Sequence, residues 1–590
     1  MEVPKMTESS PEEKLSWVRS QIIGGGAEFE SPFGKRRITY ADSTATSRSL
    51  RFIEDYILTN VLPFYGNTHT GDSYVGQQST KMVEASSQYI KRCLRAKEED
   101  AILFCGSGTT SAIKRLQEVM GLAIAPILRA KVLQSLQDEE KWVVFVGPYE
   151  HHSNLLSWRQ SLADVVEIGL THDGGSIDMD SLRTQLEFYE RTNRPMLGSF
   201  SACSNVTGIV TDTRALARLL HRHGAFACFD FAASGPYVEI NMKSGEIDGY
   251  DAVFMSPHKF IGGPGTPGIL CMNKKLYQLH NYPPSTCGGG TVSYVNGFTD
   301  EDTLYLDNVE ERENAGTPQI IQTVRAALTF WIKEYIGYQT IKNKESYYMT
   351  IALESLGKNN NIEILGPINK VKRLSILSFL VYPTRNQSIS LDQLQNRENT
   401  IDRLLKHDQK PLNGRFVAKL LNDLFGIQAR GGCACAGPYG HHLLNVDKAY
   451  SLALRASIQQ SYEGVKPAWT RISFPYYMSK EEFEFVLVAL EFVAFYGLRF
   501  LPLYDLNWKN GNWTINEKTF KKTIVEKRNY NKVDKFNDAT TCVKDKCLPL
   551  TNKYATYIDN AMCIASLLPK YPQQGRAPND LRDIDLPFII

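Results

Sequence analysis

The sequence reads as an α/β protein: a large domain on a mostly parallel sheet with helices on both faces, then a smaller α+β domain and a polar C-terminal extension. Short apolar runs at 142–146, 165–168, 196–200, 225–229, 252–256 and 268–272 are separated by helical or loop segments, the pattern of strands buried on both faces. Small, polar and charged residues gather just after those runs, where open α/β sheets bind their ligands. The 590 residues exceed the size at which a single core stops growing, so two or three domains are expected.

Composition narrows the class of partner. Hydrophobic residues make up 43% and charged residues 22%, as in ordinary globular proteins, and a net charge of +2 gives no reason to expect nucleic acid or an anionic membrane. The eleven cysteines are scattered and odd in number, which reads as thiols in a reducing, cytosolic compartment. No apolar run reaches the ~18 residues of a membrane span, so no membrane partner is expected. The first residues, Met1 to Lys5, lack the apolar core of a signal peptide, and Glu2, Glu8, Glu12 and Glu13 argue against a transit peptide.

In chain order, residues 1–36 read as an arm with a short helix at 12–23 and a flexible joint at Gly24, Gly25 and Gly26. The large domain is expected over 37–320. It opens on a short strand running into the small polar turn 41–47, followed by helices ending near 62 and 94 around a strand at 101–104. A long helix at 319–341 leads into the small domain, 321–504, with strands at 373–381 and 426–430 and helices at 413–425 and 480–496. The polar stretch 384–410 reads as a surface insertion. From 505 to 590 the composition turns to Asn, Lys, Asp and Thr, an extension of unknown role whose deletion is expected to spare the large domain's site. Within it, Ile558, Met562, Ala565 and Leu568 fall near helical spacing and suit docking on the core.

The chemistry centres on Lys259, within Ser256-Pro257-His258-Lys259-Phe260-Ile261-Gly262-Gly263-Pro264-Gly265-Thr266-Pro267-Gly268. A lysine at the mouth of an apolar strand is partly desolvated, and the bare backbone beside it lets a planar, phosphorylated ligand lie close. Such a lysine forms Schiff bases; the plainer alternative is a solvated loop lysine beside a tight turn. Asp230 ends another apolar run, where a carboxylate is costly without a cation. A protonated pyridine nitrogen, as in pyridoxal phosphate, supplies one, although a helix N-cap would also explain the residue. Cys105-Gly106-Ser107-Gly108-Thr109-Thr110-Ser111 joins a strand to a helix and offers N–H groups to a phosphate, or merely a connection. His151, in Tyr149-Glu150-His151-His152-Ser153-Asn154, either stacks on an aromatic cofactor or is a satisfied polar residue. Asn205 either donates to a phenolate oxygen or makes a turn.

Taken in this order, and with Arg430-Gly431-Gly432-Cys433-Ala434-Cys435-Ala436-Gly437-Pro438 far downstream, these motifs resemble class V aminotransferase-fold enzymes. They are similar to the cysteine desulfurase and molybdenum-cofactor sulfurase branch of fold-type-I pyridoxal phosphate enzymes. The resemblance spans roughly residues 38–500, and Arg430 and Cys435 keep that family's five-residue spacing from arginine to persulfide-forming cysteine. It implies Lys259 as the Schiff-base lysine, Asp230 under the pyridine nitrogen and His151 on the ring. Thr109, Thr110, Ser256 and His258 would lie near the phosphate and Asn205 near the ring oxygen. Arg430 and Arg471 would clamp the substrate carboxylate. The stretch Asn314-Ala315-Gly316-Thr317-Pro318 resembles the segment that reaches a partner subunit's phosphate, so Thr317 is a cofactor residue and a homodimer is implied.

By this resemblance the protein removes sulfur from L-cysteine, leaving L-alanine and a persulfide on Cys435 that passes to an unidentified sulfur acceptor. Two alternatives stand beside it: a lyase, epimerase or transaminase on another amino acid, and a non-catalytic scaffold that kept the fold. Where the family commonly has Asp-x-Ala-Gln this chain has Asp230-Phe231-Ala232-Ala233, so one usual donor to the cofactor is missing. Cys433 would resolve a persulfide, form a disulfide or pack inertly. No metal is expected, since a Cys-x-Cys pair is a poor zinc site and Cys542 and Cys547 do not complete one.

Overall fold

A computed structural model describes residues 9–299, 301–369, 371–383, 410–525, 549–573, 575, 577–581 and 585–590. The chain divides into two compact units: Met1–Ile23, Ser43–Ser346 and Asn369–Leu374 in the first, and Gly24–Asp42, Tyr347–Ile368 and Ser375–Ile590 in the second. The expected insertion at 384–410 lies, save for residue 410, outside the described residues, as do Cys542, Cys547 and most of the charge-rich stretch 517–538.

The first unit is built on a seven-stranded sheet of β1 (Asp100–Cys105), β2 (Val143–Val146), β3 (Asp164–Glu167), β4 (Met196–Ser201), β5 (Phe226–Asp230), β6 (Ala252–Met255) and β7 (Gly268–Asn273), in the order β1-β7-β6-β5-β4-β2-β3. The pairs joining β3, β2, β4, β5 and β6 are parallel, and β7 runs antiparallel to both β1 and β6. Each expected strand is present within a residue or two. In β2, β4, β6 and β7 every residue is buried, which explains why these runs show no alternation of apolar and polar residues. Leu103, Val144, Leu197, Cys228, Phe254 and Leu270 pack in one core with Ala112, Ile113, Leu116 and Val119 of the helix Gly108–Val119. Alternate side chains of the same strands point the other way. The registers Gly268↔Cys105, Ile269↔Met255, Asp230↔Phe254 and Ser201↔Asp230 bring the carboxyl ends of β1, β4, β5 and β6 to one edge of the sheet.

The long helix expected at 319–341 is two helices, Ile320–Ile336 and Tyr338–Leu356, because Gly337 between them takes a φ of +89° that ends the first. The helix Ile320–Ile336 belongs to the first unit, not to the small domain expected from residue 321. Nor is 1–36 a single arm. The helix Pro11–Gln21 belongs to the first unit, where Trp17 meets Phe52 edge-on with ring centroids 5.4 Å apart, while the hairpin Glu28–Ser31/Gly34–Arg37 belongs to the second.

The second unit carries an antiparallel sheet of β8 (Ile362–Ile364), β9 (Ile376–Val381), β10 (Arg430–Gly432) and β11 (Trp469–Ser473), in the order β8-β9-β11-β10. The helices Gly414–Phe425 and Lys480–Phe500 bury Phe416, Leu420, Leu424, Val486, Leu490 and Val493 in one core with Leu377, Phe379 and Ile472 of the sheet. Gly426 ends the first helix at φ +75°, where a Cβ would lie 2.1 Å from the carbonyl oxygen of Arg37, so any larger residue is excluded. Lys480–Leu503 is, among the described residues, one helix long and apolar enough to cross a membrane, which corrects the expectation that no run reached that length. Its apolar residues Phe483, Val486, Ala489, Leu490 and Val493 are buried in the core of this unit.

The stretch from 505 does not stand apart as an extension. Tyr504–Asn507 and Asn512–Ile515 form a hairpin, and the helix Leu550–Leu567 packs on Lys480–Phe500. The Tyr554 ring stacks on Phe485 at 3.9 Å, its hydroxyl meets Thr39 Oγ1 at 3.2 Å, and Tyr557 Oη accepts from the Arg37 N–H at 3.1 Å. The docked face runs through Tyr554, Tyr557, Ala561, Ile564 and Ala565, whereas Met562 of the expected face is exposed. Helical periodicity revealed the helix, but the aromatic residues settle its rotation because they bury the most area. Deletion from residue 505 therefore strips side chains from the core. Tyr554→Ala is expected to lower stability by about 3 kcal/mol through the lost ring, and Tyr554→Phe by only about 1 kcal/mol through the lost hydroxyl contact. Denaturant midpoints of the two variants test this; equal midpoints for Tyr554→Ala and wild type would sink it.

Candidate functional site

At the carboxyl edge of the first unit's sheet, Asp230 ends β5 and is buried, its Oδ1 accepting from the Ala232 N–H at 2.7 Å. Burial pushes its carboxyl up to about 6, against the pull of the Ala232 N–H, the Lys259 charge and a hydrogen bond from Thr109. Lys259 closes the single turn Pro257–Lys259 after β6, its N–H donating to the Ser256 carbonyl at 3.0 Å. Asp230, Lys259 and Thr109 therefore share one electrostatic environment.

Thr109 and Ser256 lock the neighbouring loops together. The Thr109 N–H donates to Ser256 Oγ at 2.8 Å, and Ser256 Oγ donates to Thr109 Oγ1 at 3.0 Å. Gly108, at φ +58°, starts the twelve-residue helix; a Cβ there would lie 2.8 Å from Ser256 Oγ and 3.5 Å from His258 Nε2. The bare backbone thus makes a cradle at a helix N-terminus, lined by Thr109, Ser256 and His258, which is chemistry suited to a phosphate. His258 is held by Thr46, whose Oγ1 lies 3.1 Å from its Nδ1 and also donates to its carbonyl. Burial, and then the Lys259 charge, push its imidazole down to about 4, so it is neutral at pH 7 and acts as a hydrogen-bonding group.

His151 caps the turn His152–Asn154, with its Nδ1 3.0 Å from Ser153 Oγ; Ser153 Oγ in turn lies 2.6 Å from Thr110 Oγ1. This ties His151 to the start of the same helix. Behind it Glu150 is buried, accepting from the Ser201 N–H at 2.8 Å, Ser201 Oγ at 2.6 Å and Asn154 Nδ2 at 2.6 Å. Burial raises its carboxyl to about 7, and the nearby Asp230 charge adds to the rise. Asn205 is buried in the turn after β4, where Ser204 Oγ accepts from the N–H groups of Val206 and Thr207, each at 3.2 Å. Thr317, in contrast, is exposed, and its Oγ1 accepts from Asn67 Nδ2 at 3.2 Å.

The remaining expected residues form a group in the second unit. Arg430 and Arg471 stand directly opposite each other on β10 and β11, so both side chains leave the same face of the sheet. Like charges so placed call for an anion, and Asp42 meets one of them: its Oδ1 accepts from Arg471 Nη2 at 2.9 Å. Burial lowers the pKa of Arg471 against the opposing pull of Asp42, and Arg430 lowers it further. Arg430 Nη2 also points at Cys435 Sγ, 3.9 Å away. Sequence reading missed Thr46, Ser153, Glu150, Ser201 and Asp42. Glu150 and Ser153 sit in the stretch singled out for His151, but Thr46 and Asp42 had only a run of small polar residues to mark them.

The donor set of the first unit fits pyridoxal phosphate: a buried carboxylate for a ring cation, an amine beside it, and a helix-terminal cradle with hydroxyls and N–H groups for a phosphate. Comparison with known proteins bears on the family and the fold. A family model described as Aminotransferase class-V matches residues 39–399, which leaves Arg430, Cys435 and Arg471 beyond its end. Probable cysteine desulfurases of Staphylococcus epidermidis and Staphylococcus aureus are 26% identical over 358 residues and 27% over 352, covering 59% and 58% of this chain and 78% and 77% of their own. Among solved structures, an apo cysteine desulfurase from Thermococcus onnurineus superposes with TM-score 0.60 at 23% identity, covering 83% of this chain and 99% of that one. The Escherichia coli cysteine desulfurase CsdA, carrying an S-sulfonic acid, superposes with TM-score 0.55 at 19% identity over 82% and 98%. These superpositions place the fold in fold type I.

The buried carboxyl makes a pH prediction for the cofactor-free chain. Folded Asp230 holds its proton up to about 6, whereas its ordinary value is 3.8. Across that window the unfolded chain binds fewer protons, so stability falls as pH rises through it, by on the order of 3 kcal/mol in all. Denaturant midpoints of wild type and Asp230→Asn between pH 4 and pH 7 read this directly. The variant should show a shallower decline, with the part due to Glu150 remaining; identical slopes would refute the assignment.

Proposed function

The chain belongs to the class V aminotransferase family, and from that premise we propose that it is a pyridoxal phosphate-dependent desulfurase acting on L-cysteine. The observation that carries the reading is the buried Asp230 carboxylate within electrostatic reach of Lys259 at the next strand end. Pyridoxal phosphate, when bound, supplies an aldehyde for a lysine to hold and an electron-withdrawing ring that eases loss of the substrate's α-proton. Lys259 holds the cofactor and moves that proton. Asp230 keeps a proton on the pyridine nitrogen, since a cation is what its buried charge lacks. The N-terminus of Gly108–Val119, with Thr109, Thr110, Ser256 and neutral His258, binds the phosphate, and Asn205 and His151 orient the ring.

Arg430 and Arg471 bind the substrate carboxylate, offering it two guanidinium groups side by side across neighbouring strands. Cys435 takes the sulfur, its Sγ lying 3.9 Å from Arg430 Nη2. The Cβ–S bond of cysteine breaks, an S–S bond forms on Cys435, and the protons redistribute so that cysteine and one thiol become alanine and one persulfide. A sulfur acceptor then takes the persulfide sulfur.

The chain works as a homodimer in this reading. Leu58, Leu62, Phe64, Tyr65, Tyr74 and Val75 are exposed on either side, in the chain, of the turn where Asn67 meets Thr317 and His69 Nε2 lies 3.2 Å from the Gly316 carbonyl. Exposed apolar residues beside this turn suit contact with a second copy.

Three outcomes test the reading. Wild type given L-cysteine should release alanine and form persulfide in equal amounts. Lys259→Ala should lose borohydride-fixable cofactor and at least about 10³-fold in alanine formation, and Cys435→Ser should keep cofactor absorbance while losing alanine formation to a similar extent. Wild type that binds the cofactor yet yields no alanine would end the desulfurase assignment. Leu62→Arg should shift sedimentation from dimer to monomer and lower cofactor affinity; a fully active monomeric wild type would contradict the dimer.

A further inference from the structure

Cys433 stands two residues before Cys435 and differs from it in exposure: Cys433 is exposed and Cys435 half-buried, and both are free thiols. The chain between them is strained in an unusual way. Ala434 and Cys435 take φ values of +50° and +55°, and the Ala436 N–H donates to the Cys433 carbonyl at 3.1 Å. Two successive left-handed residues inside such a bond make the pattern of a type I′ turn, whose central positions normally hold Asn and Gly because side chains are disfavoured there. A tight turn held at that cost, with cysteine at its first and third positions, calls for an explanation beyond packing.

Proximity is one. Two Cα steps of ~3.8 Å folded through a turn leave the Cα atoms of Cys433 and Cys435 roughly 5.5 Å apart, inside the approximate 4.4–6.8 Å range across which sulfur atoms bond. Arginines also flank the loop. Arg430 Nη2 lies 3.9 Å from Cys435 Sγ, and Arg415 Nε lies 3.8 Å from where a Cβ on Gly432, the residue before Cys433, would stand.

Building on the desulfurase reading, we infer that Cys433 is a second sulfur carrier that receives the sulfane sulfur from Cys435 and presents it to solvent. The Cys433 thiolate attacks the terminal sulfur of the Cys435 persulfide. An S–S bond forms at Cys433 as the one at Cys435 breaks, Cys435 leaves as thiolate, and the proton given up by Cys433 ends on Cys435 or in water. Nothing is oxidised or reduced overall, and no co-reactant is consumed. The exposed position then serves a thiol acceptor that a half-buried persulfide serves poorly, while the vacated Cys435 is ready for another turnover.

The experiment uses the full chain with its cofactor, sulfur-isotope-labelled L-cysteine and dithiothreitol as acceptor, with rapid alkylation and peptide mass mapping of the loop. In wild type without acceptor, labelled sulfur should be found on Cys433. Cys433→Ser should make alanine in the first turnover as fast as wild type, carry label on Cys435 only, and transfer to dithiothreitol about tenfold or more slowly. Label confined to Cys435 in wild type, or unchanged transfer by Cys433→Ser, overturns the relay while leaving the desulfurase reading intact. A Cys433–Cys435 disulfide with free sulfide also overturns it, because attack has then fallen on the Cys435 sulfur itself. No alanine from any variant removes the desulfurase reading, and the relay with it.

Discussion

The constraint on which the first unit depends is the cost of burying the Asp230 charge. A carboxylate at the end of a buried strand survives there only by holding its proton or by meeting a cation, and burial outweighs its neighbours to leave this one at about 6. Opposing the rise are the Ala232 N–H, the Lys259 charge and the Thr109 hydrogen bond. Thr109 is in turn held by Ser256, which begins the turn that carries Lys259. The network is closed: a buried group that needs a counter-charge is surrounded by the residues that would position one.

That closure is possible because of strand direction. With β1 and β6 both antiparallel to β7, their carboxyl ends meet where β7 begins, next to β5 and β4. A helix start, a lysine turn and an aspartate therefore share one edge although long stretches of chain separate them. The backbone must also approach closely there, and Gly108 permits it where a Cβ would collide with Ser256.

The second unit uses charge differently. Two arginines face each other across β10 and β11, and one aspartate balances one of them. The Arg430 guanidinium lies against a cysteine in a strained turn. In this unit, sheet register brings like charges together and loop strain positions sulfur, so the chemistry proposed for it is anion binding and sulfur transfer instead of ring chemistry.

Much of this was legible from local pattern. Buried strands announce themselves as short apolar runs, and a lysine, an aspartate and a glycine turn just beyond them are visible without any coordinates, because burial and turn geometry are local demands on residue type. The helix Leu550–Leu567 shows where local pattern stops: its spacing was readable, but the expected face included exposed Met562, since the stacking of Tyr554 on Phe485 settles which side turns inward. The domain boundaries fared similarly, because composition marked residues from 505 as polar while contacts with Thr39 and Arg37 draw them into a core. By itself the sequence determined the fold class, the order of its strands along the chain and the residue types at their ends. Only the tertiary structure decided that Thr109 meets Ser256 across 147 residues and that Asp42 meets Arg471 across 429. The physical reason is that such pairs depend on which strands become neighbours and in what register, and periodicity in one segment carries no information about its neighbour in space.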